Sequence, residues 1–146
     1  MKNTLRLLGL VAMSASMTVS AQRYLTEVFP GVDVETNVQY GTNFQVLTGA
    51  PVSIPLVMDV YTPQNDTETA RPLIVYLHTG SFLPRYVNQL ATGDKTDSAT
   101  VEMCKRFARK GYVVAAIAYR QGWNPASPEE EVRKETIIRA VYRALQ

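Results

Sequence analysis

Four polar and small residues in the middle of the chain have the types and spacing best suited to chemistry. His78, Thr79, Gly80 and Ser81 follow directly on the apolar run at 73–77. An apolar run bounded by proline and glycine is typical of a buried strand in a parallel sheet. Ligands bind at the carboxyl ends of such strands in open α/β sheets. The sequence therefore predicts one candidate site, in the loop that follows this strand.

A hydroxyl and an imidazole in the same loop suggest a nucleophile and a base. His78 is the single histidine of the chain, and Ser81 lies three residues after it. A serine nucleophile needs a base that a third group, usually a carboxylate, holds in orientation. Ser81 lies within a loop, and no carboxylate is placed to orient His78. We therefore do not expect these two residues to form a catalytic dyad.

A β-α-β unit is predicted around this loop. The run at 112–119 is a second continuous apolar segment and predicts another buried parallel strand. A helix is predicted between the two strands, beginning at Asp97 or Ser98 as its N-cap and closing at Gly111. Its apolar face has three- and four-residue spacing, and it consists of Val101, Cys104, Phe107 and Ala108. The loops after both strands then lie on the same side of the sheet.

The segments before this unit predict an edge pair of strands. Residues 22–42 have no clear period and are expected to be an irregular arm, while 44–47 form a short strand. A half-buried strand is predicted at 54–61, where Pro55 favours an edge or irregular position. Its alternating apolar face is expected to consist of Val52, Ile54, Leu56, Met58 and Val60.

A final helix is predicted from a capping box, with Ser127 as N-cap, Pro128 in the first turn and Glu130 three residues after the cap. Its apolar face is expected to consist of Ile138, Val141, Tyr142 and Leu145. The pattern is still in phase at Gln146, and two parallel strands need helices on both faces and usually further strands. We therefore expect the chain to be the N-terminal part of a larger domain.

Four cations near the end of the first helix have two readings. Lys105, Arg106, Arg109 and Lys110 are favourable at the negative end of the helix dipole. The alternative is a basic patch, but no aromatic residues are interleaved with them, as nucleic-acid binding favours. We prefer the dipole and solvated-face interpretation.

The first 21 residues have the organisation of a secretory signal peptide. Lys2 and Arg6 precede a short apolar segment, and small residues lead to a predicted cleavage site after Ala21. The apolar segment is too short to span a bilayer. Removal of residues 1–21 takes away two basic residues and no acidic one, so the formal net charge falls from +2 to zero. We therefore predict a secreted or periplasmic protein that does not bind nucleic acid.

The remaining composition predicts no cofactor. No metal cluster, phosphate loop or dinucleotide fingerprint occurs in the sequence. Cys104 is the single cysteine, and its place on the predicted apolar helix face favours a buried free thiol. A disulfide with a residue beyond Gln146 is the alternative.

The chain over about residues 40–146 resembles the secreted bacterial α/β-hydrolases, in the carboxylesterase and lipase branch that has an HGG-type oxyanion loop. The segments that carry the resemblance are 58–63 (Met-Asp-Val-Tyr-Thr-Pro), 71–82 (Arg-Pro-Leu-Ile-Val-Tyr-Leu-His-Thr-Gly-Ser-Phe), 104–114, 119–120 and 142–146. The resemblance implies the N-terminal part of an α/β-hydrolase fold, a mixed and mostly parallel sheet with flanking helices. It implies three regions: a signal peptide at 1–21, an arm at 22–42 and this part of the hydrolase domain at 43–146.

The activity that the resemblance implies is hydrolysis of carboxylic ester bonds, on a small-molecule or lipid substrate, by a serine nucleophile. That serine belongs to a G-x-S-x-G elbow, which this sequence lacks. The backbone N–H groups of Gly80 and Ser81 match the oxyanion-hole donors, and His78 matches a structural anchor of the loop. Thr79 departs from the usual glycine, and a side chain there is costly if the backbone needs a positive φ.

The resemblance leaves three alternatives for function. The chain is the front part of a secreted serine esterase and is inactive by itself, or it is a binding protein with a hydrolase fold and no triad, or it is a non-functional fragment. The substrate-pocket residues expected from topology are Arg85, Tyr86, Trp123 and Asn124.

Overall fold

The computed structural model describes residues 22–45, 52–83, 93–123 and 125–144, which form a mixed four-stranded sheet and two helices. In chain order the elements are β1 (Val32–Gln45), β2 (Val52–Pro63), β3 (Leu73–Leu77), α1 (Ser98–Arg109), β4 (Val113–Ile117) and α2 (Glu130–Ala144). The strand order is β1-β2-β4-β3. The predicted mixed α/β architecture is confirmed as a partial α/β fold. The proposed signal peptide at 1–21 lies outside the described residues.

Only one of the three strand pairings in this part of the chain is parallel. β3 and β4 run parallel, with Leu73 opposite Val113 and Leu77 opposite Ile117. β2 pairs antiparallel with β1 on one side and with β4 on the other. The β3-α1-β4 crossover is therefore confirmed, whereas a mostly parallel sheet is not what these four strands form.

The prediction of an irregular arm at 22–42 is wrong for its second half, because β1 begins at Val32. β1 pairs with β2 from Val32 opposite Pro63 to Gln45 opposite Val52, with two register shifts. This strand is held mainly by backbone hydrogen bonds to β2, so it does not need an alternating apolar face. Each register shift also adds a residue that interrupts the two-residue alternation of side chains. The strand therefore gives no clean periodic signal in the sequence. The predicted strand residues 46 and 47 lie outside the described part.

The buried face of β2 differs from the prediction in the second half of the strand. Asp59, Tyr61 and Pro63 are buried, whereas Met58 and Val60 are only half-buried. Helix α1 covers the face that carries the first three side chains, and alternation then leaves the others on the opposite face. The strand also lies inside the sheet rather than at its edge, although β4 pairs with β2 only over 58–61.

Helix α1 supplies the core with the face that the sequence predicted. Cys104 and Ala108 are fully buried against Tyr61, Val114 and Ala116 of the sheet. The helix has Asp97 as its N-cap, one of the two residues that the sequence offered for this position. The burial of Cys104 as a free thiol is also confirmed.

The end of α1 is the glycine-dependent turn that the sequence predicted. The Gly111 N–H donates to Ala108 O at 2.8 Å, and the Tyr112 N–H donates to Phe107 O at 3.3 Å. This pair of bonds is the Schellman motif, and Gly111 adopts φ +105° to form it. The Phe107 and Tyr112 rings meet edge to face at 6.1 Å, the hydrophobic contact that accompanies this motif.

The prediction of a fully buried β3 is wrong. Leu73, Val75 and Leu77 are 61, 53 and 57% exposed, whereas Ile74 and Tyr76 face the core. β3 is the last strand in the order, and among the described residues no helix covers this face of it. β4 is the buried strand, since Val114, Ala115 and Ala116 have 5% exposure or less.

Helix α2 begins later than predicted. It starts at Glu130, and the Arg133 N–H donates to Glu129 O, so Ser127 is not the N-cap of a capping box. The Ser127 hydroxyl instead accepts from the Glu129 N–H at 3.3 Å, a local turn that competes with helix. The expected apolar face is wrong as well, because Ile138, Val141 and Tyr142 are exposed and Ala140 is buried. Leu145 lies outside the described residues.

A buried carboxylate fixes the segment before β1 to the loop before β3. Asp66 accepts from the Arg23 guanidinium at 2.5 and 2.9 Å, from Arg71 Nε at 2.8 Å and from the Glu68 N–H at 3.1 Å. The hydrogen bond from Arg23 is the main reason that the pKa of Asp66 falls from 3.8 to about 2. Residues near the start of the described chain are thus part of the fold.

Candidate functional site

Three segments meet at the carboxyl ends of β3 and β4. They are the loop at 78–83 after β3, the segment at 93–97 that leads into α1, and the loop at 118–123 after β4. Two parallel strands that end side by side bring their following loops together, which is why the sequence placed a site here. The contacts below show that these three segments support one another.

The backbone of the loop after β3 is unusual at three consecutive residues. Gly80, Ser81 and Phe82 have φ values of +147°, +52° and +57°. The last two lie in the left-handed region, which costs a residue with a side chain about 1–2 kcal/mol. Thr79 does not have a positive φ, so its Cβ is not in conflict with the backbone. The strain expected at Thr79 falls instead on Ser81 and Phe82.

In this conformation the Gly80 carbonyl accepts a hydrogen bond from within the loop. The Leu83 N–H donates to Gly80 O at 2.9 Å, which closes a tight turn over 80–83. Among the residues that the structure describes, no hydrogen bond is made by the N–H of Gly80 or of Ser81. Buried or partly buried backbone N–H groups usually have a partner. Gly80 is half-buried and Ser81 is exposed, so their two neighbouring N–H groups can serve an acceptor from outside the described chain.

His78 is packed as a structural residue at the start of the loop. It is only 6% exposed, and its ring stacks on Tyr119 with centroids 4.5 Å apart and planes 20° from parallel. Its Nδ1 lies 2.6 Å from Thr79 O. Phe82 meets the same tyrosine edge to face at 5.6 Å. One aromatic ring from the β4 loop thus packs against both ends of the β3 loop, and its burial raises the pKa of Tyr119 above its usual value.

Backbone hydrogen bonds join the same two loops. The N–H groups of Gly122 and Trp123 both donate to Phe82 O, at 3.0 and 3.3 Å. Two donors on one carbonyl hold Phe82 in its strained backbone conformation, because leaving that conformation would break both bonds. Trp123 is half-buried. The other expected pocket residues, Arg85, Tyr86 and Asn124, lie outside the described part of the chain.

The segment before α1 lies directly behind the candidate donors. A Cβ on Gly80 would be 3.0 Å from the Gly93 Cα, so the two backbones are in contact where they pass. The Asp97 carboxylate accepts from the Gly93 N–H at 2.6 Å and from the Asp94 N–H at 3.1 Å. Gln121 donates to Gly93 O at 3.3 Å. Gly93 is therefore held at both its N–H and its carbonyl while it contacts the loop.

A buried ion pair joins this segment to the sheet. Lys95 Nζ lies 2.5 Å from Asp59 Oδ1, and the two residues are 6 and 3% exposed. The same Asp59 oxygen accepts from the Asn37 N–H at 2.9 Å. A buried charge is tolerated only when it is paired and hydrogen-bonded, as here.

The structure brings together the three predicted site residues, His78, Gly80 and Ser81, and adds others that the sequence did not indicate. The additional residues are Asp59, Gly93, Lys95, Tyr119 and Gln121. One signal was available in the sequence: Asp59 is a carboxylate inside an otherwise apolar strand, and such a residue needs a cationic partner if it is buried. Among the described residues, no cluster of His, Cys, Asp or Glu could hold a metal ion.

No protein-family model matches the sequence, and a comparison with curated proteins found no match. Among solved structures, the chain is similar to esterase B from Lactobacillus Rhamnosis (HN001), with 21% identity and a TM-score of 0.43 over 99% of this chain and 40% of that chain. It is also similar to esterase B inhibited by a C4-C4 SN3 tributyrin phosphonate, with 20% identity and a TM-score of 0.40 over 94% of this chain and 38% of that one. The chain thus spans well under half the length of these structures, and similarity at this level assigns no family.

Neither of the two helices in the described part of the chain is long and apolar enough to cross a membrane.

Proposed function

We propose that this chain provides the oxyanion side of a serine-hydrolase site that acts on carboxylic esters. The observation that carries the proposal is the backbone of 80–82, where three consecutive positive φ values follow a parallel strand. The N–H groups of Gly80 and Ser81 are the proposed donors. The proposal uses the backbone of Ser81 and not its hydroxyl.

Ester hydrolysis passes through a tetrahedral intermediate whose oxygen carries negative charge. Donors that are already in place lower that barrier, and one such donor contributes about 3–4 kcal/mol. Two features support this role for the loop. Its strained backbone is fixed by bonds to Phe82 O and by the contact between Gly80 and Gly93, so little reorganisation is needed during the reaction. Its two candidate donors have no acceptor in the described chain.

His78 anchors the loop in this proposal and does not act as the base. Its stacking on Tyr119 and its low exposure hold the ring in place at the end of β3. A base must exchange protons with a nucleophile and with water, which a packed ring does poorly. The nucleophile, the acid that orients the base, and the base itself are proposed to follow Gln146. The chain is proposed to reach a secreted or periplasmic location through residues 1–21.

Translation of the reading frame past Gln146 tests the proposal first. A G-x-S-x-G elbow is expected roughly 20–40 residues further on, after a loop and one strand. Its absence would rule out the serine-enzyme interpretation. An elbow without a later Asp or Glu and His would favour the non-catalytic binding protein, and an in-frame stop with no continuation would favour a non-functional fragment.

The second test is hydrolysis of p-nitrophenyl acyl esters. The 146-residue chain alone is expected to show no turnover above a heat-treated control, whereas the product of the extended frame is expected to show it. In that product, Ser81→Ala keeps the backbone N–H and is expected to leave kcat within about threefold, because oxyanion stabilisation uses the amide. Loss of all activity in Ser81→Ala would instead identify Ser81 as the nucleophile.

A further inference from the structure

We infer that Asp59 and Lys95 are positioning residues that set the location of the candidate oxyanion donors through Gly93. The ion pair joins β2 to the segment before α1, and that segment contacts the loop after β3. The inference rests on the proposed function for its catalytic consequence, and on the geometry alone for its structural one.

The ion pair links two parts of the chain that are 36 positions apart in sequence. Asp59 belongs to β2, where it lies opposite Ala116 of the buried strand β4 and is therefore part of the buried centre of the sheet. Lys95 lies two residues after Gly93 in a segment without regular structure. Its Nζ reaches Asp59 Oδ1 at 2.5 Å. The ammonium group thus fixes an irregular segment to the core.

The same segment has little other freedom once Lys95 is fixed. Asp97, the N-cap of α1, accepts from the N–H groups of Gly93 and Asp94. These bonds form a small closed turn whose one end is the helix and whose other end touches Gly80. A shift of Lys95 would therefore move Gly93, and the Gly80 backbone packs so closely on Gly93 that even a Cβ on Gly80 would be 3.0 Å from the Gly93 Cα. We therefore expect movement of Gly93 to displace Gly80.

This arrangement explains why a charge pair is buried here. An ion pair in the interior is rarely needed for stability, because apolar replacements of similar volume are often as stable. A directional, charge-assisted hydrogen bond holds its two partners at one distance. An oxyanion hole needs that precision, since a displacement of about 1 Å in a catalytic site can cost about 100-fold in rate.

Amide hydrogen exchange in the 146-residue chain tests the structural part. Exchange at 78–83 is read at the Leu83 amide, which donates to Gly80 O within this loop. Asp59→Asn keeps the acceptor for the Asn37 N–H, Lys95→Met removes the ammonium group, and the double variant removes both charges. Asp66→Asn is the matched control, because it removes a buried carboxylate from an ion pair in the loop before β3, at the other end of that strand. The denaturation midpoint of each variant is measured alongside.

The single variants leave one charge buried without its partner, so both are expected to unfold at lower denaturant concentration. The double variant is expected to recover the midpoint while exchange at 78–83 stays about tenfold faster than in the parent, because the direct bond is absent. The Asp66→Asn control is expected to leave exchange at 78–83 close to that of the parent. Exchange that returns to the parent rate together with the midpoint would show a purely stabilising pair and would overturn the inference.

Lys95→Arg keeps the charge pair and is the variant to use if the double variant does not fold. The guanidinium is larger and planar, so it cannot place residue 93 as the ammonium group does. Exchange at 78–83 is again expected to rise, and an unchanged rate would overturn the inference.

Kinetics on the ester-hydrolysing protein test the catalytic part. In Lys95→Arg, kcat is expected to fall about 10- to 100-fold while KM stays within about twofold, whereas a residue that serves stability alone would change neither at a temperature where the protein is folded. An unchanged kcat would overturn the inference. Absence of any ester hydrolysis would count against the proposed function, while the exchange measurement would still decide the structural part.

Discussion

Gly80 and Gly93 touch through their backbones, so that a Cβ on Gly80 would stand 3.0 Å from the Gly93 Cα and 3.2 Å from Gly93 O. These distances are tighter than most real Cβ contacts, so a side chain at residue 80 would require one of the two backbones to move by a few tenths of an ångström. The contact joins the loop after β3 to the segment before α1. It is the point at which packing in the core is transmitted to the candidate donors.

Gly80→Ala is expected to destabilise the protein by about 1–3 kcal/mol, because it adds both a clash and a side chain at φ +147°. Equilibrium unfolding in urea measures the change. Gly122→Ala is the matched control in the neighbouring loop, since a Cβ there meets no atom within 4 Å. Equal losses in the two variants would show that the contact with Gly93 does not constrain residue 80.

Replacement of His78 separates ring packing from hydrogen bonding. His78→Ala removes the stack on Tyr119 and is expected to cost about 2–4 kcal/mol, which includes the cavity. His78→Phe keeps an aromatic ring and is expected to cost less than half as much. The free energy of unfolding from urea melts provides the comparison. If Phe were as damaging as Ala, the contact of Nδ1 with Thr79 O would be the anchor rather than the stack.

The loss of stability in acid is expected to have a contribution from Asp66. Its pKa is lowered from 3.8 to about 2 in the folded protein, so the folded state favours the ionised form. The resulting stabilisation, on the order of 2 kcal/mol, is fully present above about pH 4 and is lost as the pH falls through about 2. Urea melts of the parent and of Asp66→Asn between pH 7 and pH 2 measure it. The difference between the two proteins should shrink across that window, and a constant difference would contradict the assignment.

Cys104 is expected to be inert in the folded protein. It is fully buried, and desolvation raises the pKa of its thiol to about 11, so the reactive thiolate is scarce at neutral pH. Labelling with Ellman's reagent at pH 8 should proceed only as fast as the protein opens and should be immediate in 6 M guanidinium. Rapid labelling of the native protein would mean that α1 does not cover Cys104 as the structure shows.

The sequence predicted the central unit of this fold because its signals are local. Gly111 ends α1 in a left-handed conformation, Asp97 begins it, and the apolar run at 113–117 is the buried strand. Each of these signals depends on a few neighbouring residues. These local signals also predicted where the candidate site lies, because the site is located at the carboxyl end of a parallel strand.

The incorrect predictions concern features that depend on distant partners. The burial of β3 depends on which element covers its second face, and its own residues do not encode that. β1 is held by pairing with β2 along its length rather than by an apolar period of its own. The contact between Asp59 and Lys95 joins residues 36 positions apart. Such contacts are set by the packing of the whole sheet.

The ion pairs that Arg109 makes at the end of α1 provide a control on the protein surface. Arg109 pairs with Glu27 and Glu102 at 2.6 and 3.2 Å on a partly exposed surface. Exposed ion pairs contribute little to stability, so Glu102→Gln is expected to cause at most a small loss of unfolding free energy. A larger loss in urea melts would show that the end of α1 depends on these pairs.

The most direct measurement of the central claim is the amide proton shift of Gly80 and Ser81 when the extended, ester-hydrolysing protein is inhibited by an alkyl phosphonate. The tetrahedral adduct places an anionic oxygen where the reaction intermediate would carry its charge. If these two groups form the oxyanion hole, both signals move downfield on adduct formation, while the amide signal of Gly111 at the far end of β4 stays in place. Adduct formation that leaves the Gly80 and Ser81 signals unchanged would contradict the assignment of this loop.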